Sequence, residues 1–136
     1  MSATTLAIQN SLQYEFQGTT PSPYPTTWYV GLSTSLIDND GDGAVEPPQL
    51  ANYERVAGTW SFDSGSSVIT NSVEVKFPVS SDNWGAIQEV FLASGSVSNP
   101  STSDIWYHFV LPESIPISGN MLYKIPANVI QISMYQ

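Results

Sequence analysis

The chain has no cysteine and very few basic residues. Without cysteine it can form neither a disulfide framework nor a thiolate metal site. Its 136 residues include only three basic side chains, Arg55, Lys76 and Lys124, against twelve acidic ones, which gives a net charge of −9. Nucleic-acid binding depends on clustered lysine and arginine that neutralise phosphates. The composition therefore excludes DNA and RNA as partners.

Charge of either sign is scarce, and long apolar runs are absent. Charged residues make up 11% of the chain, whereas about a quarter is typical, so serine, threonine, asparagine and glutamine must cover much of the surface. No stretch reaches the length of a membrane span. The N-terminal MSATTLAIQNSL lacks the basic start and long apolar run of a signal peptide. We therefore expect that the protein does not associate with membranes and that it is made without a signal peptide.

Groups suited to catalysis are also scarce. The single histidine, His108, lies in the run IWYHFVL, a context typical of a hydrogen-bonded interior or interface histidine rather than a general base. No serine occupies a G-x-S-x-G turn, and neither a P-loop nor a G-x-G-x-x-G motif is present. We therefore expect that the protein is not an enzyme.

The order of residue patterns predicts one all-β body behind a short N-terminal arm. Residues 3–17 carry apolar side chains at four-residue spacing and precede Gly18, which predicts a helix that ends there. The next segment, 19–25, contains three prolines and predicts an extended connector. The runs that follow are rich in β-branched and aromatic residues and predict an antiparallel, jelly-roll-like β-sandwich of seven to eight strands. The predicted division is 1–25 for the helix and proline-rich arm and 26–136 for the β-sandwich body.

The clearest predicted strand covers residues 72–79, SVEVKFPV. Valine and phenylalanine at every second position alternate with polar residues, which is typical of a strand with one buried and one solvent-exposed face. Pro78 cannot donate a ladder hydrogen bond and indicates a sheet edge or a strand end.

The stretch DNDGDGAVEPPQ, residues 38–49, resembles the first half of an EF-hand calcium loop. Its aspartates alternate before a glycine, but Gln49 stands where the loop needs a bidentate glutamate. Pro47 and Pro48 stand where the exiting helix should begin, so an EF-hand is excluded. Two interpretations stay open, a solvated turn and a Ca²⁺ site with oxygen ligands. The candidate ligands of such a site are Asp38, Asp40, Asp42 and Glu46.

SFDSGSSVIT, residues 61–70, is similar to the run around each catalytic aspartate of the aspartic proteases. A dimer that paired two copies of Asp63 would raise one pKa and lower the other, as that chemistry requires. The second element of those proteases, an apolar pair and a glycine on a crossing strand followed by a helix, has no good counterpart downstream. The alternative is that residues 63–66 form the turn of a hairpin whose second strand begins at Val68.

Four tryptophans are a further binding signal. Tryptophan faces stack on sugar rings, and an acidic loop can hold calcium at the rim of a site, so the pattern is compatible with a calcium-dependent carbohydrate-binding module. Each tryptophan also lies within or at the start of a predicted strand, where burial of a large side chain is the commoner reason for its presence. Both interpretations stay open for Trp28, Trp60, Trp84 and Trp106.

Several segments, taken in order, resemble a family of small structural proteins of tailed-bacteriophage virions. The resemblance covers nearly the whole chain, from TLAIQNSLQYEFQG through PTTWYVGLSTS, NYERVAGTWSF and TNSVEVKFP to SDNWGAIQEVFLASG. The positions that carry it are 29–32, Glu46, 53–56, Asn71, Phe77, Pro78, Trp84 and Gly85. The resemblance implies a non-enzymatic protein of the phage particle that is made in the host cytoplasm.

The motifs that carry the resemblance have an architectural explanation. Arg55 can pair with a carboxylate such as Glu46 or Glu54. Trp84 can pack its ring against the close backbone at Gly85. Neither contact needs a substrate.

Within a virion, the resemblance and the N-terminal arm favour a capsid decoration or cement subunit, with a tail-fibre or baseplate subunit as the alternative. The partners expected from the resemblance are further copies of the chain, in a homotrimer, and other virion proteins such as the major capsid protein. The arm's apolar stripe is suited to docking on a neighbour, although such a helix can instead cap its own sandwich. The candidate contact residues are Leu6, Ile8, Leu12 and Phe16.

Overall fold

Antiparallel β-strands make up most of the regular structure. The computed structural model describes residues 2–18, 25–96 and 104–133. Within these ranges the strands are β1 (Ser2–Ala3), β2 (Tyr29–Ser33), β3 (Val56–Ala57), β4 (Trp60–Asp63), β5 (Val68–Asn71), β6 (Val75–Lys76), β7 (Gly85–Ala93), β8 (Ile105–Ile117), β9 (Lys124–Ile125) and β10 (Gln131–Ser133). The helices there are α1 (Thr5–Gln17) and a 3-10 helix (Gln49–Ala51). The prediction of an all-β fold with a short N-terminal helix is confirmed.

The described strands form three antiparallel sheets around one main core. The largest sheet has the order β1-β8-β7-β2-β3, the second has the order β10-β5-β4, and the third pairs β6 with β9. All three contribute side chains to one hydrophobic cluster, as a β-sandwich requires. Its buried members are Val30, Leu32, Ala51, Tyr53, Val75, Phe77, Trp84, Ile87, Val90, Leu92, Ile117, Ile125 and Ile130.

Helix α1 has the expected signals at both ends. Thr4 is its N-cap, because the Thr4 side chain accepts a hydrogen bond from the Ala7 N–H. Gly18 adopts a φ of 64° and donates its N–H to the Tyr14 carbonyl, which ends the helix in a left-handed cap. The predicted helix over 3–17 is therefore confirmed to within two residues. Residues 19–24 of the predicted proline-rich connector lie outside the described residues.

The residues before α1 belong to the largest sheet. Strand β1 pairs with Tyr107 and His108 of β8. Thr4 then donates its backbone N–H to the Trp106 carbonyl at 2.9 Å, and its fully buried hydroxyl lies 2.8 Å from the Ile105 carbonyl. Hydrogen bonds thus anchor the start of the arm on the body, while the division at residue 25 stays a prediction.

The longest pairing joins β7 to β8 and contains a bulge. The register shifts between Ile87 and Glu89, where residues 111–114 of β8 lie opposite a single residue of β7. Strand β8 also carries Pro112 and Pro116. Its other edge is paired with β1 at two positions.

Both faces of the largest sheet are covered. Val90 and Leu92 of β7 belong to the main core, whereas the residues between and after them belong to a second cluster on the opposite face. That cluster consists of Ile37, Phe91, Ala93 and Ile105. Because Ile37 lies in the segment 34–46 that follows β2, this segment covers the second face.

The predicted strand 72–79 is much shorter in the structure. Regular pairing within it is limited to β6, which lies against β9. Val75 and Phe77 are buried, as the alternation predicted, but the valines at the two ends of the segment are about half exposed. Pro78 has no N–H, so the regular ladder cannot continue through it. The alternation therefore located the buried face correctly and overestimated the length.

Asn71 fastens the turn between β9 and β10 to β5. Its side chain is fully buried. Its Nδ2 donates to the carbonyls of Val73 (3.1 Å) and Pro126 (2.9 Å), and its Oδ1 accepts the Ile130 N–H (2.9 Å). The Asn128 N–H donates to the Asn71 carbonyl at 2.7 Å. One buried residue thus satisfies backbone groups on both sides of this turn.

Replacing Asn71 with leucine should lower the free energy of unfolding by about 2–4 kcal/mol, because the Ile130 N–H and two carbonyls would lose their partner. Urea denaturation measures the change. Ser72→Ala is the matched control, since Ser72 is exposed and a surface substitution usually changes stability by no more than about 0.5 kcal/mol. Equal stability of the two variants would contradict the role of Asn71.

Candidate functional site

Arg55 is the centre of a buried ion cluster. Its side chain is 1% exposed and forms a bidentate pair with Glu46, from Nε to Oε1 at 2.9 Å and from Nη2 to Oε2 at 3.0 Å. Nη1 donates to an Asp104 carboxylate oxygen at 2.6 Å and to the Gly95 carbonyl at 2.9 Å. The guanidinium also lies 5.2 Å from the centre of the Phe91 ring. Glu46, the first of the two partners predicted for Arg55, is therefore confirmed.

The cluster joins segments that are distant in sequence. Glu46 ends the segment 34–46, which covers the second face of the largest sheet. Gly95 and Asp104 lie just after β7 and just before β8, and the Ser94 N–H donates to the Asp104 carbonyl at 3.0 Å. One guanidinium therefore holds the covering segment against both ends of the β7–β8 connection.

Tyr53 extends the cluster into the main core. Its hydroxyl donates to Glu46 Oε1 at 2.8 Å and accepts the Leu32 N–H at 2.9 Å. Burial, followed by the Glu46 charge, raises the pKa of Tyr53 well above its usual value of 10.0. Burial disfavours the charged form of Arg55, but hydrogen bonds to Glu46 and Asp104 outweigh this and raise the pKa of the guanidinium. The phenol is thus held neutral and the guanidinium charged.

Replacing Tyr53 with phenylalanine should cost about 1–3 kcal/mol of unfolding free energy at neutral pH, because the buried Leu32 N–H and Glu46 each lose a partner. The difference should shrink above pH 10.0. A raised folded-state pKa gives stability that is fully present below the unfolded pKa and is lost as the pH rises towards the folded value. Urea denaturation from pH 7 to pH 11 gives both quantities, and a difference independent of pH would contradict this assignment.

A second buried polar contact joins a carboxylate to a histidine. Glu89 of β7 is fully buried, and its Oε1 lies 2.8 Å from Nδ1 of His108 on β8. Its Oε2 accepts the backbone N–H of Ile37. The pair therefore holds the middle of the segment 34–46, whose end is held by Arg55. His108 is a hydrogen-bonded interior residue, as its sequence context predicted.

Three of the four predicted calcium ligands point to different partners. Asp38 Oδ1 accepts the backbone N–H groups of Asp40 (2.9 Å) and Asp42 (2.8 Å), and Asp40 Oδ1 accepts the Thr5 hydroxyl (2.8 Å). Glu46 is directed to the Arg55 cluster. In the part of the chain that the structure describes, no group of three or more His, Cys, Asp or Glu side chains is arranged to hold a metal ion. The calcium site stays a prediction.

The calcium hypothesis predicts a melting temperature that rises with Ca²⁺ concentration in the millimolar range, because an ion that binds only the native state stabilises it by mass action. Thermal melts followed by circular dichroism, with calcium and with chelator, measure this. Asp42→Asn should remove the rise if that carboxylate is a ligand. Equal melting temperatures with calcium and chelator would contradict the hypothesis.

The predicted docking residues of α1 are largely exposed. Ile8 and Leu12 are 50% and 49% exposed, and Phe16 is 78% exposed, whereas Leu6 is partly buried. Ile8 and Leu12 line a shallow hollow of about 110 Å³ together with Tyr107 of β8. We call this the helix hollow. The structure therefore brings two of the four predicted residues to one depression and places the other two outside it.

A second hollow opens between the two larger sheets. It has a volume of about 200 Å³, and we call it the aromatic groove. Its lining residues are Trp28, Trp60, Ile69, Leu92, Tyr107 and Ile132. Trp84 is buried in the main core, and Trp106 is buried with its ring edge-on to Trp28 at 5.1 Å. The groove offers mainly apolar surface and few partners for hydroxyl groups, which disfavours a sugar as its ligand. Sugar binding stays a prediction.

Gly58 shapes one wall of the aromatic groove. Its N–H donates to the Trp28 carbonyl at 2.9 Å. A Cβ atom at this position would lie 2.6 Å from Cζ2 of Trp60, so the indole can lie against the backbone because Gly58 has no side chain.

Sequence reasoning missed Tyr107, which lines both hollows, and Glu89, which is the partner of His108. Alternation in IWYHFVL indicates that Tyr107 and His108 face opposite sides of the sheet. The pairing of distant strands, which creates the hollows, leaves no comparable signal in the sequence.

Asp63 lies in a tight hairpin turn. It ends β4, and its carboxylate accepts the Gly65 N–H (2.9 Å) and the Ser66 hydroxyl (2.8 Å) before β5 begins at Val68. These hydrogen bonds, the Ser66 contact first, lower the pKa of the exposed Asp63. The hairpin predicted as the alternative to a protease motif is confirmed.

Taken together, the fold and its buried ion pairs define a small β-sandwich whose charged core residues hold its own segments in place. A family model, described as podophage GP4 fiber I protein gp80, matches residues 2–133, and the chain belongs to this family. It is therefore a structural protein of a bacteriophage virion, as the resemblance in the sequence implied. No curated protein matches the chain. Among the described residues, no helix has the length and apolar character needed to cross a membrane.

Proposed function

We propose that the chain is a structural subunit of the phage fibre and that it acts through its surfaces. The observation that carries this proposal is the match of the fiber I protein family model to residues 2–133, which is nearly the whole chain. The family description supports the tail-fibre alternative better than the capsid decoration that the sequence analysis placed first. We accordingly prefer the fibre.

We also propose that the subunit is not an enzyme. The buried carboxylates have internal partners: Glu46 forms an ion pair with Arg55, and Glu89 lies within hydrogen-bond distance of His108. Asp63, the residue of the protease hypothesis, closes its own turn through Gly65 and Ser66. These contacts give each of the three carboxylates a structural role.

Association with other virion proteins follows from membership of a fibre family. The finer partner assignments, a homotrimer and a contact with the major capsid protein, stay predictions. A trimer is testable by light scattering on the purified chain, because its mass would be three times 14.8 kDa.

Immunogold electron microscopy of the phage that encodes the chain tests its location. We expect label on the fibres at the tail, because the matched family is a fibre family. Antibody preabsorbed with the purified chain is the control. Label spread evenly over the heads would contradict the fibre role and favour the capsid decoration role.

A further inference from the structure

The helix hollow and the aromatic groove meet at Tyr107. This side chain lines both depressions, with Ile8 and Leu12 on one side and Trp28 and Trp60 on the other. Strand β8, which carries Tyr107, is held by β7 along one edge and by β1 at the start of the other. Tyr107 therefore lies where β8 is paired on both edges. We call the two hollows together the docking surface.

Apolar side chains of the docking surface remain exposed in the isolated chain. Ile8 and Leu12 keep about half of their surface exposed. Ile69 at the far side of the groove is 38% exposed. Phe16 lies outside both hollows, one turn further along α1 on the same stripe, and is 78% exposed. Exposed apolar side chains grouped in this way mark an interaction site more often than a bare surface.

The residues that line the docking surface include one acidic side chain and no basic one. The acidic residue is Glu15, which lines the helix hollow. The three basic residues of the chain lie elsewhere: Arg55 is buried in its ion cluster, and Lys76 and Lys124 face each other across β6 and β9. The whole chain carries a net charge of −9, so the field around this patch is negative.

We propose that the docking surface binds an apolar segment of another virion protein that carries lysine or arginine beside its apolar side chains. This inference rests on the proposed role as a virion subunit and names the chemistry of its partner. The apolar side chains of the segment fill the two hollows, and its basic neighbours meet Glu15 and the negative field. A second copy of the chain is the poorer occupant, because it adds another net charge of −9 and brings no basic residue to this surface.

The test uses the full chain and two short amphipathic peptides, one of leucine and lysine and the other of leucine and glutamate at the same positions. Isothermal titration at low and at physiological salt measures affinity. We expect the lysine peptide to bind, the glutamate peptide to bind at least about tenfold more weakly, and Leu12→Glu to weaken the lysine peptide at least about tenfold.

Leu50→Glu is the matched control. Leu50 is a 99% exposed leucine that lines neither hollow, so this variant adds the same negative charge at a different apolar position. Attraction by charge alone would strengthen lysine-peptide binding in both variants. Docking predicts that Leu12→Glu loses affinity for the lysine peptide and that Leu50→Glu binds it equally or slightly more tightly. Melting temperatures of both variants verify folding, and Leu12→Ser replaces Leu12→Glu if the latter fails to fold.

Three results would overturn the inference. These are equal binding of the two peptides, equal affinity of Leu12→Glu and the unsubstituted chain, and self-association of the chain that Leu12→Glu abolishes, which would make a second copy the occupant. Because the titration uses no particles, fibre label without peptide binding would leave the proposed function standing and remove this inference. Label on the heads together with peptide binding would remove the proposed fibre role and leave this inference standing.

Discussion

The fold depends on how one buried cation is compensated. Arg55 meets two carboxylates and a carbonyl in a place where its side chain has almost no contact with solvent. An uncompensated charge there would cost on the order of several kcal/mol, and the contacts with Glu46 and Asp104 offset this cost. Glu46 comes from the covering segment, and Asp104 lies just before β8. The requirement for compensation thus makes distant parts of the chain fold together.

The sequence predicted the local features of this structure better than its long-range ones. The helix with its glycine stop, the turn at 63–66, the buried Trp84 and the Arg55–Glu46 pair all follow from neighbouring residues or from residue types that need a partner. The division into three sheets, the pairing of β1 with β8 and the aromatic groove depend on contacts between residues up to about a hundred positions apart. Such contacts leave no periodic signal along the chain, and alternation at 72–79 could therefore locate a buried face without giving the strand's length.

Several ionisable residues are buried and stabilise the fold, whereas the exposed ones are available to affect association. Three of the ionisable residues that could attract a ligand, Arg55, Glu89 and His108, are buried and paired inside the molecule. The charged residues that remain outside are largely acidic, but they are few among the uncharged polar groups. A surface of this kind gives up little hydration when a neighbour covers it, because few lone ions must be stripped of water.

The prolines of β8 have a consequence for how copies of this protein can grow into larger assemblies. An open strand edge invites another chain to add itself by backbone pairing, which can continue without limit. The long edge of β8 is covered by β1 at two positions only, but Pro112 and Pro116 offer no N–H to an incoming strand. The edge is therefore a poor template for fibril-like addition.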